Sequence, residues 1–159
     1  MKESVLHHVW QYRLFAANGL TTTGGETVEV IDPGKLNTDA GPDFFNAKLK
    51  IDNTLWVGNI EIHNQSSDWV RHNHQRDKAY DNVILHIVSK ADAEVRRTNG
   101  ELIPQLELQV PDDIQTRYDE LLSARKWVAC EDKLQLLPAV LISSWKSAFP
   151  VPVSLRNSP

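Results

Sequence analysis

Residues 41–63, GPDFFNAKLKIDNTLWVGNIEIH, predict two β-strands joined by a tight turn. Between Phe45 and Ile51 apolar and polar residues alternate, as they do on a strand with one buried face. Asp52–Asn53 has the composition of a two-residue turn, and TLWVGNIEIH returns as the second strand. The stretch also carries two acids and a histidine, which are either a metal site or simply polar side chains of a β-sheet. The question therefore becomes which of these side chains can meet.

Glu61 and His63 are two residues apart on the returning strand, so their side chains share a face. A regular hairpin places Asp43 out of phase with Glu61, on the opposite face. One extra residue in the returning strand corrects the phase, because Asp43 then pairs with His63. We predict this bulge at Val57–Asn59, where Gly and Asn tolerate positive φ, or an equivalent irregularity at Gly41–Pro42.

Segments on both sides of the hairpin predict a mixed α/β fold. Before the hairpin, the patterns indicate a helix over 3–18 and a strand over 26–34. After it, they indicate a short helix capped by Ser66 or Ser67 and a loop within 64–82, then a strand over 83–90. A second hairpin over 93–110 and a helix from Pro111 complete the order. The continuous apolar run VILHIVSK is typical of a central strand covered on both faces. We therefore expect a mixed sheet flanked by helices.

Composition limits the class of protein. A chain of 159 residues with 41% hydrophobic and 24% charged residues suits one globular domain, which we place at 1–135, followed by an irregular or truncated tail at 136–159. Cys130 is the single cysteine, so an internal disulfide is excluded and a cytoplasmic location is expected. No apolar run has membrane-spanning length, so no membrane partner is expected. A net charge of −4 argues against a protein that binds nucleic acid through an overall positive charge. It is compatible with an enzyme that contacts DNA or RNA along one local strip.

The candidate acids and the histidines that follow them define the candidate chemistry. Two converging carboxylates repel each other unless a cation lies between them, and their oxygen atoms suit Mg²⁺ or Mn²⁺. Positive and histidine side chains that follow the acids are candidate nucleic-acid contacts, namely Arg71, His72, His74, Arg76 and Lys78. His72 and His74 could share a metal on an extended segment, but without a Cys partner a polar loop is the favoured interpretation. His86, inside the apolar run, is expected to be a core histidine.

The segment GPDF, with Asp43, and the following Glu61-Ile62-His63 resemble the PD-(D/E)XK nuclease motif. That resemblance implies a restriction-endonuclease-like fold with an αβββαβ core. It also implies metal-dependent cleavage of phosphodiesters in DNA or RNA, with Asp43 and Glu61 as metal ligands and His63 orienting the attacking water. The segments GPDFFNAKLKID, LWVGNIEIHNQSSDW and HNHQRDKAYDNVILHIV are more closely similar to a bacterial family known only as a domain of unknown function, over about residues 1–135.

Two departures from these families leave the function open. His63 stands where most active nucleases of this type have lysine. Members of the similar family also continue into a further, largely helical region, so we expect that this chain is a fragment or a truncated form of such a protein. Three possibilities therefore stay open. The first is a metal-dependent phosphodiesterase, and the second is a catalytically inactive copy of the fold that serves as a nucleic-acid or protein interaction module. The third is a structural fragment that is inactive until its missing region is supplied. The sequence does not predict an oligomeric state.

Overall fold

The structure, a computed structural model, describes residues 2–16 and 18–123. Its strands are β1 (Val28–Asp32), β2 (Lys35–Leu36), β3 (Phe44–Ile51), β4 (Thr54–Gln65), β5 (Val83–Lys90) and β6 (Gln105–Glu107). Its helices are α1 (Glu3–Gln11), α2 (Asp68–Arg71) and α3 (Asp112–Ser123), with 3-10 turns at His74–Arg76 and Lys78–Tyr80. The chain divides into a unit at 1–118, which holds the sheet, and a unit at 119–159. Cys130 and the predicted tail lie outside the described residues.

The six strands form one mixed sheet, and the expected mixed sheet flanked by helices is confirmed. Its order is β1-β3-β4-β5-β6, with β2 also paired to β3. Strand β4 runs antiparallel to β3 and parallel to β5, and β5 runs parallel to β6. The predicted central strand is β5, which lies between two neighbours and is buried from Val83 to Val88. Within the described residues no helix combines the length and apolarity that a membrane crossing requires.

The first helix is shorter than predicted. Helix α1 ends at Gln11, and Arg13 adopts a left-handed φ of +53°, which turns the chain before the expected end near residue 18. Two long-range hydrogen bonds accompany this turn. The Trp10 indole donates to the Pro33 carbonyl at 3.0 Å, and the Arg13 guanidinium donates to the Ile31 carbonyl at 2.6 Å. Contacts with the segment around β1 therefore replace the last predicted turns of the helix.

The second predicted hairpin is wrong beyond its turn. Gly100 has a φ of +86°, and β-pairing between the two arms is limited to the bridge between Arg96 and Leu102. The returning arm then leaves its neighbour and becomes β6, which pairs in parallel with β5. Leu106 and Leu108 are buried on either side of exposed Glu107, so the predicted alternation is present although its partner strand is different.

The main hairpin contains a bulge, but on the outgoing strand rather than at Val57–Asn59. Pairing is regular from Ile51 opposite Thr54 to Ala47 opposite Gly58. Beyond that point β3 advances three residues to Phe44 while β4 advances two residues to Ile60. The predicted position of the extra residue is therefore wrong.

Asn46 lies in this irregular segment of β3. Its φ is +57°, and its N–H donates to Asn59 Oδ1 at 3.3 Å. The shift brings Asp43 opposite Glu61, whereas the predicted bulge would have paired Asp43 with His63. A bulge on either strand restores the phase of the two acids, since each adds one residue to the count between them.

Two apolar clusters stabilise the unit at 1–118. The larger joins α1 to the sheet and includes Leu6, Trp10, Phe44, Ile60, Ile62, Leu85 and Ile87. The smaller consists of Trp69, Val83, Val95 and Ile103, with Tyr80 packed against it. Ile60 and Ile62 join the larger cluster, and the alternate residues Glu61 and His63 do not, as strand geometry requires. This alternation is what gathers the polar side chains of β4 on one side.

Candidate functional site

Asp43 and Glu61 lie side by side where β3 begins and β4 approaches its end. The Asp43 N–H donates to Glu61 Oε2 at 3.1 Å, and the Ile62 N–H donates to Asp43 Oδ2 at 2.9 Å. One oxygen of each carboxylate is thus held by the backbone of the neighbouring strand. The other Glu61 oxygen, Oε1, faces the histidines described below. The two acids that sequence reasoning singled out are therefore adjacent.

The environment of Glu61 disfavours a bare negative charge. Its side chain is only 7% exposed. Burial raises the pKa of Glu61 to about 9, and the charge of Asp43 adds to that rise. The carboxyl is consequently protonated at neutral pH unless a cation compensates its charge. A divalent cation could hold this pair of acids in the charged form, because metal binding drives deprotonation of its ligands.

Helix α1 adds His7 to the site, a residue that sequence reasoning did not select. Its Nε2 lies 3.3 Å from Asp43 Oδ2. Burial disfavours the charged imidazole, but the hydrogen bond and the charge of Asp43 outweigh it, so the pKa of His7 is raised. Glu3 and His7 are four residues apart and share a helix face, which was the available signal. That signal does not reveal which strand the face meets.

Four histidines gather beside Glu61. His63 Nε2 lies 3.4 Å from Glu61 Oε1 and 3.1 Å from His72 Nδ1. His74 Nε2 lies 3.3 Å from Glu61 Oε1. On its other side, His63 Nδ1 lies 2.8 Å from His86 Nε2. We call Glu61, His63, His72 and His74 the histidine cluster.

The local chain path explains how His72 and His74 come together. His72 caps the end of α2, Asn73 adopts a left-handed φ of +64°, and His74 begins the next 3-10 turn. The His74 ring then stacks on Tyr80 with a centroid distance of 3.7 Å, and Trp69 contacts its edge. The segment is therefore not extended, and the turn at Asn73 brings the two histidines together.

Burial keeps the inner histidines neutral. It lowers the pKa of His63 to about 2, an effect to which the nearby histidines contribute, and it lowers the pKa of His86 to about 4. Burial also lowers the pKa of His74. Neutral imidazoles present lone pairs, which a metal ion requires. His86 is fully buried with one ring nitrogen bonded to His63, in agreement with the expected core histidine.

The other predicted nucleic-acid contacts lie outside the cluster. Arg71 pairs with Asp68 on α2 and is 68% exposed. Arg76 and Lys78 are exposed on the 3-10 turns that follow His74. The structure therefore separates the five candidates into two cluster members, His72 and His74, and three exposed cations on adjacent turns.

Comparison with known families supports the closer of the two resemblances. The chain matches the family described as "Protein of unknown function (DUF2851)" over residues 3–151, and it belongs to that family. No curated protein and no solved structure gave a significant match. The predicted membership in a family of unknown function is confirmed, and the family description itself assigns no activity.

Proposed function

We propose that this chain is a divalent-metal-dependent phosphodiesterase that acts on DNA or RNA through a restriction-endonuclease-like fold. One observation carries the proposal: Asp43 and Glu61 meet across β3 and β4, with the Asp43 N–H 3.1 Å from Glu61 Oε2. The order of elements around them supports it, since α1 precedes the antiparallel strands and α2 leads into a parallel strand, β5.

Asp43 and Glu61 would hold Mg²⁺ or Mn²⁺ through carboxylate oxygens. When bound, such an ion supplies Lewis acidity toward a phosphoryl oxygen and lowers the pKa of a water molecule. Glu61 would lose its proton as the cation enters, and His7 would hold Asp43 in place from α1. His63 is neutral and would orient water by hydrogen bonding rather than transfer a proton, because its pKa of about 2 makes it a weak base.

The exposed cations would contact the substrate. Arg71, Arg76 and Lys78 lie on the short turns between β4 and β5, directly after the acids in sequence. Guanidinium and ammonium groups bind phosphate oxygens through charge-assisted hydrogen bonds, without reading base sequence. We therefore expect affinity that falls with salt and little base preference from these contacts.

A second function, that of a catalytically inactive interaction module, has its own supporting observation. Leu55, Trp56 and Val57 are consecutive apolar residues near the start of β4, and they are 62%, 41% and 59% exposed. Contiguous exposed apolar residues often mark interaction surfaces. Together with His63 in place of lysine, this strip favours binding without cleavage as the alternative.

Cleavage of labelled single- and double-stranded DNA and RNA, with Mg²⁺ or Mn²⁺, distinguishes the two functions. Asp43→Asn and Glu61→Gln should each lower the rate by about 100-fold or more, as loss of electrostatic stabilisation in an active site does. Asp39→Asn, an exposed acid in the preceding loop, is the matched control and should leave the rate unchanged. Absence of cleavage by folded wild type would refute the nuclease proposal. Binding of nucleic acid or protein by wild type that is lost in Trp56→Ala would support the interaction module.

A further inference from the structure

In the histidine cluster three imidazole nitrogens gather together, and one carboxylate oxygen of Glu61 lies beside two of them. The atoms are Glu61 Oε1, His63 Nε2, His72 Nδ1 and His74 Nε2. The three histidines each present a ring nitrogen within 4.8 Å of the other two. These residues come from β4 and from the segment after α2, so strand pairing and the turn at Asn73 together create the arrangement.

Three contacts among these atoms have lengths close to those between ligands of a four-coordinate metal ion. Four ligands about 2.0–2.1 Å from a central ion, at tetrahedral angles, are about 3.3–3.4 Å from one another. The distances from Glu61 Oε1 to His63 Nε2 and to His74 Nε2 are 3.4 Å and 3.3 Å. The distance from His63 Nε2 to His72 Nδ1 is 3.1 Å, slightly shorter than a tetrahedral edge. Glu61 is not among the residues whose ligand atoms all lie within 4.8 Å of one another, so the exposed ring of His72 would move toward Glu61 to complete the geometry.

Hydrogen bonding within the protein satisfies only part of this cluster. His74 Nε2 is buried and has no hydrogen-bond partner among the described residues. A neutral His63 carries one ring proton, yet its two nitrogens face His86 on one side and His72 and Glu61 on the other. If Nδ1 donates to His86, the Nε2 lone pair faces the remaining cluster members. A cation at their centre would satisfy all of these lone pairs at once.

A second layer of residues supports the same assignment. A metal-ligating histidine commonly has its other ring nitrogen hydrogen-bonded, which sets the tautomer and the ring orientation. His86 does this for His63, at 2.8 Å. Tyr80 and Trp69 pack against His74 and fix the plane of its ring. The cluster therefore has both the ligand atoms and the positioning residues of a built site.

We propose that Glu61, His63, His72 and His74 bind a transition-metal ion, with Zn²⁺ as the expected occupant. Three imidazoles and one carboxylate suit Zn²⁺, whereas Mg²⁺ prefers six oxygen ligands. The bound ion would tie the segment at 72–74 to β4. The site goes beyond the proposed phosphodiesterase activity, although both would use the Glu61 carboxylate. It uses Glu61 Oε1, while the Asp43 N–H binds Oε2.

Calorimetric titration of the chelator-treated full chain with Zn²⁺ tests the site, with Co²⁺ as a spectroscopic probe. Wild type should bind one Zn²⁺ per chain, and Co²⁺ should give the visible absorption typical of four-coordinate geometry. Because His72 is exposed, His72→Ala should fold normally and should weaken Zn²⁺ binding by about 100-fold. His8→Ala is the matched control, since His8 contacts Tyr12 and Tyr118 instead of the cluster, and it should bind like wild type.

Separate outcomes distinguish this site from the proposed nuclease pair. Asp43→Asn should keep Zn²⁺ affinity close to that of wild type while it loses Mg²⁺-dependent cleavage. Zn²⁺ binding without cleavage would overturn the nuclease proposal alone. Failure of folded wild type to bind Zn²⁺, or unchanged affinity in His72→Ala, would overturn the metal site alone.

Discussion

Gly58 provides a direct test of how the strands of this sheet are held together. It lies on β4 beside the start of β5, where the two backbones approach closely. A Cβ at Gly58 would lie 2.4 Å from Ile84 Cγ2 and 2.6 Å from the Asn82 carbonyl oxygen. The second neighbour is backbone and cannot rotate away. Gly58→Ala therefore requires β4 and β5 to separate at this point.

The expected cost follows from two effects. Overpacking of a closely packed interior costs about 1–3 kcal/mol. Separation of the strands also weakens the hydrogen bond from the Asn59 N–H to the Asn82 carbonyl, which is 2.8 Å long, and such a bond contributes about 0.5–1.5 kcal/mol. Alanine regains about 0.5–1 kcal/mol through lower backbone entropy in the unfolded chain. We expect Gly58→Ala to lower the free energy of unfolding by about 2–3 kcal/mol.

Urea denaturation followed by tryptophan fluorescence measures this change. With a typical dependence on denaturant, the midpoint should fall by about 1–2 M. Gly24→Ala is the matched control, because its closest contact is the flexible side chain of Glu26 at 3.3 Å, and its midpoint should stay near that of wild type. Equal midpoints for Gly58→Ala and Gly24→Ala would refute the close approach of β4 and β5 and, with it, the register that brings Glu61 to the site.

Two further predictions concern backbone conformation and pH. Because Asn46 has a left-handed φ, Asn46→Val should destabilise the protein by about 1–2 kcal/mol in the same urea assay, whereas Asn46→Gly should have little effect. Equal stabilities of the two variants would contradict the bulge on β3. Asp81 accepts hydrogen bonds from the Thr98 hydroxyl at 2.7 Å and the Thr98 N–H at 3.0 Å, and these bonds lower its pKa below 3.8. The charged Asp81 carboxylate therefore stabilises the fold above that pH, and this stabilisation is lost as the pH falls through the lowered pKa. Asp81→Asn should consequently lose less stability than wild type on acidification below about pH 4. Parallel profiles of stability against pH for the two proteins would contradict this prediction.

Local patterns determined much of the fold in advance. The positions of β3 and β4, with side chains that alternate in direction outside the bulge at Asn46, the turn at Asp52–Asn53 and the buried run of β5 each depend on neighbours one or two residues away, and each was predicted correctly. The same alternation placed Glu61 and His63 on one face. Helix α1 shows the limit of such patterns, because its end at Gln11 depends on hydrogen bonds from Trp10 and Arg13 to the region of β1. Long-range hydrogen bonds of this kind have no signal in the local sequence.

The sequence predicted that the hairpin needs a bulge more reliably than it predicted where the bulge lies. Counting residues showed that a bulge was required if Asp43 was to share a face with Glu61. It did not show which strand carried the extra residue, since Asn46 on β3 and Gly58 on β4 both tolerate an irregular backbone. In the structure Gly58 makes the close approach to β5 and the irregularity falls at Asn46, so Asp43 lies opposite Glu61 rather than His63.

The sequence by itself determined the chemical character of the site: two acids on a hairpin, followed by a segment rich in histidine and arginine. Only the tertiary structure decided which side chains meet. His7 reaches Asp43 from α1. The left-handed turn at Asn73 lets His74 reach Glu61 while His72 reaches His63. The physical reason is that side-chain direction follows from local periodicity, whereas contact between elements depends on strand register, turn geometry and close packing across the whole sheet.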